Sequence, residues 1–364
     1  MVKIINVCGA RPNFMKIAPL MRAYRAYPAI QAVLVHTGQH YDANMSDLFF
    51  RQLGIPEPDI NLEVGSGSHA VQTAEIMRRF EPVVAEQRPD WVVVVGDVNS
   101  TIACGLVATK LGVGLAHVEA GLRSFDRTMP EEINRLLTDA ISDLLFVSEP
   151  SGIENLRREG VAEEKIHFVG NVMIDTLRTN LARAEESRIL DELGLERGGY
   201  NVLTLHRPSN VDGSASFGRI ADALDAIQRD LPTVFPIHPR TLANLDRLGL
   251  GERLRAMAGL RIVEPLGYLD FLRLMGKAAV VLTDSGGIQE ETTILGVWCL
   301  TLRENTERPV TLTCGTNTLV GSDPERIVSA YRRCRSGPPS GRSVPEKWDG
   351  KAAERIAAVL SAGR

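Results

Sequence analysis

The sequence has few cysteines, nearly balanced charges and no long hydrophobic run. Its five cysteines are scattered among 364 residues, without a Cys-x-x-Cys pair or a Cys/His cluster. This pattern argues against a disulfide framework and a structural zinc site, and it favours buried free thiols. With 41 Lys and Arg against 45 Asp and Glu, the net charge is −4. Such a balance offers no overall basic field for nucleic acid or an anionic membrane, so any phosphate site must be local.

The absence of long hydrophobic runs also bears on where in the cell the protein is expected. No segment approaches the roughly 18 consecutive apolar residues of a membrane span. The first apolar residues lead directly into the glycine loop at Gly9, without a signal-peptide cleavage site. We therefore expect a cytoplasmic protein that neither spans nor binds a membrane and does not bind nucleic acid.

Apolar runs of strand length alternate with amphipathic helical stretches. This alternation predicts α/β domains with doubly wound parallel sheets. The predicted strands are 3–8, 32–36, 91–95, 114–118, 144–147, 201–205, 233–237, 260–263, 280–282 and 298–301. The pattern pauses in a polar passage at 171–199, and the length exceeds what one core usually serves. We expect a first domain at 1–172, a second at 173–350, and a terminal helix within 351–364 that packs back on the first domain.

Carboxylates follow two apolar runs of the first domain. Asp97 comes after the run 91–95 and Gly96, Glu119 follows the run 114–118, and Glu131 opens the next predicted helix. Because the carboxyl ends of parallel strands share one edge of a sheet, these groups should face one crevice, where they are placed to move protons.

Each carboxylate also has an ordinary structural explanation. Asp97 could cap the helix that begins near Ser100, and Glu119 could pair with Arg123. Glu131 could be a first-turn charge beside Pro130, a residue typical of the first helical position. Their joint occurrence at one sheet edge favours the functional interpretation.

The second domain carries a glycine-containing turn after the strand 280–282. Ser285, Gly286 and Gly287 begin a helix there, and a helix N-terminus with free N–H groups is suited to a diphosphate. Glu291 lies about one turn inside and could accept hydrogen bonds from a ribose diol. The alternative is an ordinary helix start, with Ser285 as N-cap and Glu291 as a solvated charge.

Further cationic or hydrogen-bonding groups follow other strands. His206 and Arg207 come after one strand of the second domain, and His238 after another. In the first domain, the loop after the first strand contributes Arg11 and Lys16. These groups favour anion binding. The first loop is not a GxGxxG motif followed by an acidic residue, which argues against a nicotinamide dinucleotide.

Six motifs in a fixed order resemble those of the UDP-N-acetylglucosamine 2-epimerases over nearly the whole chain. They are Gly9-Ala10-Arg11-Pro12 with Lys16, Gly96-Asp97, His117-Val118-Glu119-Ala120-Gly121-Leu122-Arg123, Pro130-Glu131-Glu132-Ile133-Asn134-Arg135, the stretch 284–291, and Thr306-Glu307-Arg308-Pro309. The resemblance implies a GT-B-like fold, with two Rossmann-like domains flanking a cleft. It also implies a cytoplasmic homodimer that uses no metal and no cofactor and that supplies cell-surface polysaccharide synthesis.

The resemblance further implies a reaction. UDP-N-acetylglucosamine and UDP-N-acetylmannosamine would interconvert by loss of the C2 proton and anti elimination of UDP, with UDP adding back to a 2-acetamidoglucal intermediate. Family positions for catalysis correspond to Asp97, Glu119, Glu131 and His206. Those for substrate binding correspond to Arg11, Lys16, Arg135, Arg207, His238, Phe271, Ser285, Gly286, Gly287 and Glu291. Within this second set, Glu291 would hold the ribose and Phe271 the uracil, while the others hold phosphate or sugar.

Several alternatives remain open at this point. A hydrolysing epimerase would release UDP and N-acetylmannosamine, and an epimerase of a related UDP-2-acetamido sugar would use the same residues. A GT-B glycosyltransferase would share the nucleotide site but would not need three acid/base carboxylates. A catalytically silent sensor would bind UDP-sugars without exchanging the C2 proton.

Overall fold

The structure is a computed structural model that describes residues 1–38, 52–237, 239–337 and 341–363. The chain divides into two compact units: Met1–Thr179 with Glu346–Arg364, and Asn180–Pro345. The division falls within one helix, Val172–Glu185, inside the polar passage that the sequence marks as a break.

The first unit contains a parallel sheet of seven strands among the described residues, in the order β3-β2-β1-β4-β5-β6-β7. The strands are β1 Val2–Cys8, β2 Ile30–His36, β3 Ile60–Asn61, β4 Trp91–Val95, β5 Gly114–Ala120, β6 Leu144–Val147 and β7 Ile166–Phe168. The order reverses between β1 and β4, which is where open α/β sheets bind their ligands.

Helices connect these strands. They are α1 Arg11–Ala23, α2 His69–Gln87, α3 Asn99–Lys110, α4 Pro130–Ile141, α5 Pro150–Arg158, α6 Val172–Glu185 and, from the end of the chain, α16 Ala352–Ser361. Because helices cover the sheet, every residue of β4 is buried. Phe80 and Ile76 of α2 pack with Val92 and Val94 of β4 in the core of this unit.

The second unit contains a parallel sheet of six strands within the described chain, ordered β10-β9-β8-β11-β12-β13. The strands are β8 Asn201–Thr204, β9 Thr233–Pro236, β10 Leu260–Val263, β11 Val280–Thr283, β12 Trp298–Thr301 and β13 Asn317–Leu319. The helices are α7 Ile189–Glu192, α8 Pro208–Val211, α9 Ser214–Ile227, α10 Pro239–Arg247, α11 Gly251–Arg255, α12 Tyr268–Gly276, α13 Gly286–Leu295, α14 Val310–Thr313 and α15 Pro324–Arg335. This is the strand order of a Rossmann-like sheet, with its reversal between β8 and β11.

The last described residues belong to the first unit. Trp348 is fully buried there, and its indole N–H donates to the Ser148 carbonyl at 2.9 Å. The carboxylate of Asp175 accepts the backbone N–H groups of Ala352 and Ala353 at 3.2 and 2.7 Å. Asp175 therefore serves as the N-terminal cap of α16 from another helix.

All five cysteines are free thiols, as predicted, and Cys314 alone among them is only half-buried. Burial raises the pKa of the Cys8 thiol far above its ordinary value. A reactive thiolate at the first glycine loop is therefore disfavoured.

Candidate active site

Glu119 lies at an irregularity of strand β5. The pairing of β5 with β6 shifts register between Val118 and Ala120, and Glu119 between them has φ of 74°. A left-handed conformation at a non-glycine residue costs about 1–3 kcal/mol and persists where surrounding contacts impose it, often at functional sites. The bulge turns the Glu119 side chain to a buried position, 7% exposed.

The buried partner of Glu119 is Lys16 on α1. Their side chains form an ion pair, and both are at least nine-tenths buried. Gly96 makes room for this pair, because a Cβ atom at that position would lie 2.7 Å from the Lys16 ammonium nitrogen. The sequence analysis expects Lys16 to contact a phosphate. In the structure its ammonium group pairs with the carboxylate of Glu119.

Asp97 is 27% exposed and is held by Arg135 of α4. The Arg135 Nε and Nη2 atoms donate to one Asp97 oxygen at 3.0 and 2.8 Å. The alternative role of Asp97 as helix cap is wrong, because α3 starts with Val98 in the N-cap position and has no capping side chain.

The two acidic residues that open α4 differ in their surroundings. Glu132 is almost fully buried and accepts the N–H groups of Ser124 and Phe125 at 2.9 and 3.0 Å, together with Arg135 at 2.5 Å. Glu132 therefore stabilises the loop before the helix. Glu131 is half-buried on the same first turn, beside Pro130 at the helix start, and its catalytic role stays a prediction.

Arg123 does not bind Glu119, so that alternative is also wrong. Its guanidinium pairs with Asp139 at 2.7 Å and with Glu159 through two hydrogen bonds of 2.8 and 2.6 Å. Asp139 is a site residue that the sequence analysis missed, because it lies 22 residues beyond its partner His117 and outside every motif considered.

In the second unit, the fully buried Asp284 organises the turn after β8. Its carboxylate accepts the backbone N–H groups of His206 and Arg207 at 3.1 and 3.0 Å and the side chain of Asn210 at 3.2 Å. The Nδ1 atom of His206 lies 2.8 Å from the same carboxylate. Burial alone would raise the pKa of Asp284, but the hydrogen bond and charge of His206 and the two N–H groups hold it below its usual range.

This contact fixes the orientation of a histidine that is otherwise exposed. The side chain of His206 is 57% exposed while its partner Asp284 is fully buried. A carboxylate on Nδ1 sets the tautomer in which the other ring nitrogen can meet a ligand. The contact with Asp284 is shown, while a role of His206 at a leaving phosphate stays a prediction.

Helix α13 starts as the sequence predicts, but its first turn is not capped by a side chain. Ser285 occupies the N-cap position without a capping hydrogen bond, and its own N–H donates to the Thr283 hydroxyl at 3.0 Å. Ser285, Gly286 and Gly287 are all half-buried. The ordinary cap is therefore not formed, and the helix N-terminus can bind an anion.

A buried ionic cluster supports this helix start from the loop 303–308. Arg308 donates to Glu290 at 2.5 Å, and Arg303 makes two hydrogen bonds of 2.9 and 2.7 Å to Glu307. A Cβ atom on Gly286 would lie 2.5 Å from Nη1 of Arg308. The motif Thr306-Glu307-Arg308-Pro309 thus brings a guanidinium directly against the first residue of α13.

Glu291 is buried, 4% exposed, and accepts a 3.0 Å hydrogen bond from the Tyr268 hydroxyl of α12. Its interpretation as a solvated surface charge is wrong. Burial raises the pKa of Glu291 to about 7, assisted by the charge of Glu290 and opposed by the Tyr268 hydrogen bond. Phe271 is half-buried one turn after Tyr268.

Two predicted binding groups cannot be placed. His238 lies outside the described residues, and so does the side chain of Arg11, although its backbone begins α1. Over the described ranges, no group of three or more His, Cys, Asp or Glu side chains is arranged to hold a metal ion. In the same part of the chain, no helix combines the length and hydropathy needed to cross a membrane.

Comparison with known proteins relates these features to one family. The family model described as UDP-N-acetylglucosamine 2-epimerase matches residues 22–361. The chain belongs to this family. This match confirms the resemblance seen in the sequence. It also confirms the expectation that the protein is an isomerase of the UDP-N-acetylglucosamine 2-epimerase family.

Individual relatives cover the whole chain. A UDP-N-acetylglucosamine 2-epimerase of Methanocaldococcus jannaschii is 42% identical over 100% of both chains. A crystal structure of that organism's UDP-GlcNAc 2-epimerase in complex with UDP-GlcNAc and UDP has a TM-score of 0.93, with full coverage of both chains. A UDP-2,3-diacetamido-2,3-dideoxy-D-glucuronate 2-epimerase of Pseudomonas aeruginosa is 40% identical over 99% of each chain. The two doubly wound, GT-B-like domains predicted from the sequence are confirmed, while the roles of single residues stay predictions.

Proposed function

We propose that the protein interconverts UDP-N-acetylglucosamine and UDP-N-acetylmannosamine without net hydrolysis. The observation that carries this proposal is the set of strand-end carboxylates in the first unit. Asp97 and Glu119 each have a buried cation beside them, Arg135 and Lys16, and Glu131 lies on the next helix. A C2 proton is not acidic, so its removal needs a positioned base, and inversion needs a proton donor on the opposite face.

The proposed reaction has two halves. A carboxylate of the first unit takes the C2 proton, the electron pair forms the C1–C2 double bond, and the C1–O bond breaks with UDP leaving. UDP then adds back at C1 while a second group protonates C2 from the other face. Asp97, Glu119 and Glu131 form the acid/base set.

The second unit binds the nucleotide in this proposal. Ser285 and the N–H groups of Gly286 and Gly287 hold the diphosphate, and His206 with Arg207 stabilises its charge as it leaves. Glu291 accepts from the ribose hydroxyls, and Phe271 packs on uracil. Arg11, Lys16, Arg135 and His238 remain proposed contacts to phosphate or sugar.

One comparison favours a second substrate. The Pseudomonas aeruginosa relative acts on a UDP-2,3-diacetamido sugar acid and is nearly as similar as the N-acetylglucosamine enzymes, at 40% against 42% identity. The C2 chemistry is the same, so this alternative changes only the groups around C3 and C6. Competition between the two UDP-sugars in one assay decides which is preferred.

The decisive experiment is NMR of the purified protein with UDP-N-acetylglucosamine in D2O, following phosphorus and the C2 proton together. Deuterium at C2 in nucleotide-linked sugar, with the manno epimer present, supports the proposal. Accumulation of free UDP with N-acetylmannosamine replaces it by the hydrolysing reaction. Asp97→Asn and Glu119→Gln should bind UDP-sugar and lose turnover. If both variants retain most turnover, the acid/base assignment is wrong.

We further propose a homodimer, in line with the resemblance. Ile133 and Leu137 lie four residues apart on α4 and are 42% and 50% exposed, and Phe125 just before the helix is 71% exposed. Exposed apolar side chains grouped in this way are typical of an interface. Sedimentation of Leu137→Glu should show monomer, whereas Val344→Glu, which alters an exposed valine of the second unit, should not.

A further inference from the structure

Asp139 and His117 form a buried pair that no part of the proposed reaction uses. The Asp139 carboxylate lies 2.6 Å from Nδ1 of His117 and accepts the backbone N–H of Gly121 at 3.0 Å. His117 precedes Glu119 by two positions and Gly121 follows it by two. A single carboxylate therefore holds the chain on both sides of the left-handed Glu119.

The pair also reaches the second catalytic carboxylate. Nε2 of His117 lies 2.7 Å from the carbonyl oxygen of Gly96, and the N–H of Gly96 donates to the Val118 carbonyl at 3.0 Å. Gly96 directly precedes Asp97. The imidazole thus links the strand end that carries Glu119 to the one that carries Asp97.

Both partners of the ring are acceptors. Asp139 offers a carboxylate to Nδ1 and Gly96 a carbonyl to Nε2, both at hydrogen-bond distance. His117 is fully buried, and these two contacts fix the orientation of its ring. Burial would raise the pKa of Asp139, but the charge and hydrogen bond of His117, followed by Arg123 and Gly121, hold it below its usual range.

We propose that Asp139 and His117 are positioning residues that set the backbone of Glu119 and of Gly96–Asp97 for proton transfer at C2. This inference rests on the proposed function. It assigns a role to a carboxylate outside the catalytic set, and it explains how a strained glutamate keeps its place. Because Asp139 acts through hydrogen bonds to the backbone, its loss should affect the chemical step and leave nucleotide binding in the second unit intact.

The test compares two substitutions of Asp139. Asp139→Ala removes the contacts to His117 and Gly121 together with the ion pair to Arg123. It should lower kcat about 100-fold with KM changed little, the effect of a misplaced catalytic group. Asp139→Asn keeps an oxygen for Gly121 and presents an amide N–H group to Nδ1 of His117, which accepts it when the ring carries its proton on Nε2. This variant should therefore retain kcat within a few-fold. Glu159→Ala is the matched control, since it removes the other carboxylate on Arg123 and should leave kcat unchanged.

The outcomes are distinct. Retention of wild-type kcat by folded Asp139→Ala overturns the proposal, and so does an Asn variant as impaired as the Ala variant, because hydrogen-bond geometry would then not be the cause. If Asp139→Ala does not fold, His117→Gln tests the same link and should lower kcat at least about tenfold. Absence of C2 exchange in the wild-type protein would instead reject the proposed function itself.

Discussion

Lys16 of helix α1 and Glu119 at the bulge of strand β5 form an ion pair, and both side chains are almost completely buried. Removing one member of a buried pair costs about 3–5 kcal/mol, because the other charge loses its compensation. We therefore expect Lys16→Met to destabilise the first unit by about that amount. Replacing both members should cost much less.

A double-mutant cycle with Lys16→Met, Glu119→Gln and the double variant measures this coupling by urea denaturation. A coupling of about 2 kcal/mol or more agrees with the prediction. Simple additivity of the two single substitutions would show that the ion pair does not stabilise the fold.

The titration of Glu291 should make the affinity for a UDP-sugar depend on pH. Its pKa of about 7 in the folded protein, raised mainly by burial, means that it is partly protonated near neutrality. Ribose hydroxyls donate hydrogen bonds, so the ionised carboxylate should be the form that binds them. Affinity for a UDP-sugar should therefore rise about tenfold between about pH 6 and about pH 8. The Glu291→Gln variant should bind more weakly and show a much flatter profile in calorimetric titration.

In the protein without ligand, the titration of Glu291 has the opposite pH dependence: it affects folding stability, which should fall as the pH rises. Its folded pKa is raised from an ordinary value of 4.5, so the folded state binds the proton more tightly than the unfolded state does. The contribution of Glu291 to stability should thus fall as the pH rises from about 4.5 to about 7. Thermal denaturation of wild type and Glu291→Gln over this range checks the sign, and an unchanged difference between the two would contradict it.

A substitution of Gly286 tests the proposed diphosphate site. Alanine there would place its Cβ 2.5 Å from Nη1 of Arg308, so either the guanidinium leaves Glu290 or the helix start shifts. We expect UDP affinity to fall about 10–100-fold. Gly218→Ala in α9 is the control, since open space surrounds that position. It should leave affinity unchanged and stabilise the helix by about 0.5–1 kcal/mol.

The sequence predicts the fold well where the signal lies in long buried runs. The strands Trp91–Val95 and Leu260–Val263 match their predicted bounds. The strands β3, β7 and β13 were not predicted, because they have only two or three residues and lie towards the sheet edges. Such segments are too short to show a periodicity, and their pairing depends on the neighbouring strand.

For the candidate site, the sequence predicts where residues lie along the strands better than it predicts which side chains they contact. Strand ends located Asp97, Glu119 and Ser285 because parallel topology fixes where a strand's last residue lies. The partners Lys16 on Glu119 and Asp139 on His117 were not predicted, since which cation meets which carboxylate depends on how α1 and α4 pack. Glu132 and Glu131 are adjacent in sequence, yet only the former is almost fully buried.

Trp348 packs the C-terminal segment against the rest of the first unit, so its replacement should lower the stability of that unit. The indole is fully buried, and its N–H binds the Ser148 carbonyl. Trp348→Ala should cost about 3–5 kcal/mol through the cavity it leaves. Trp348→Phe fills most of the space but leaves that carbonyl without the indole donor, so about 1–2 kcal/mol is expected. Urea denaturation measures both, and UDP binding by the second unit should be unaffected. Equal stability of the Ala variant and wild type would show that this segment does not support the first unit's fold.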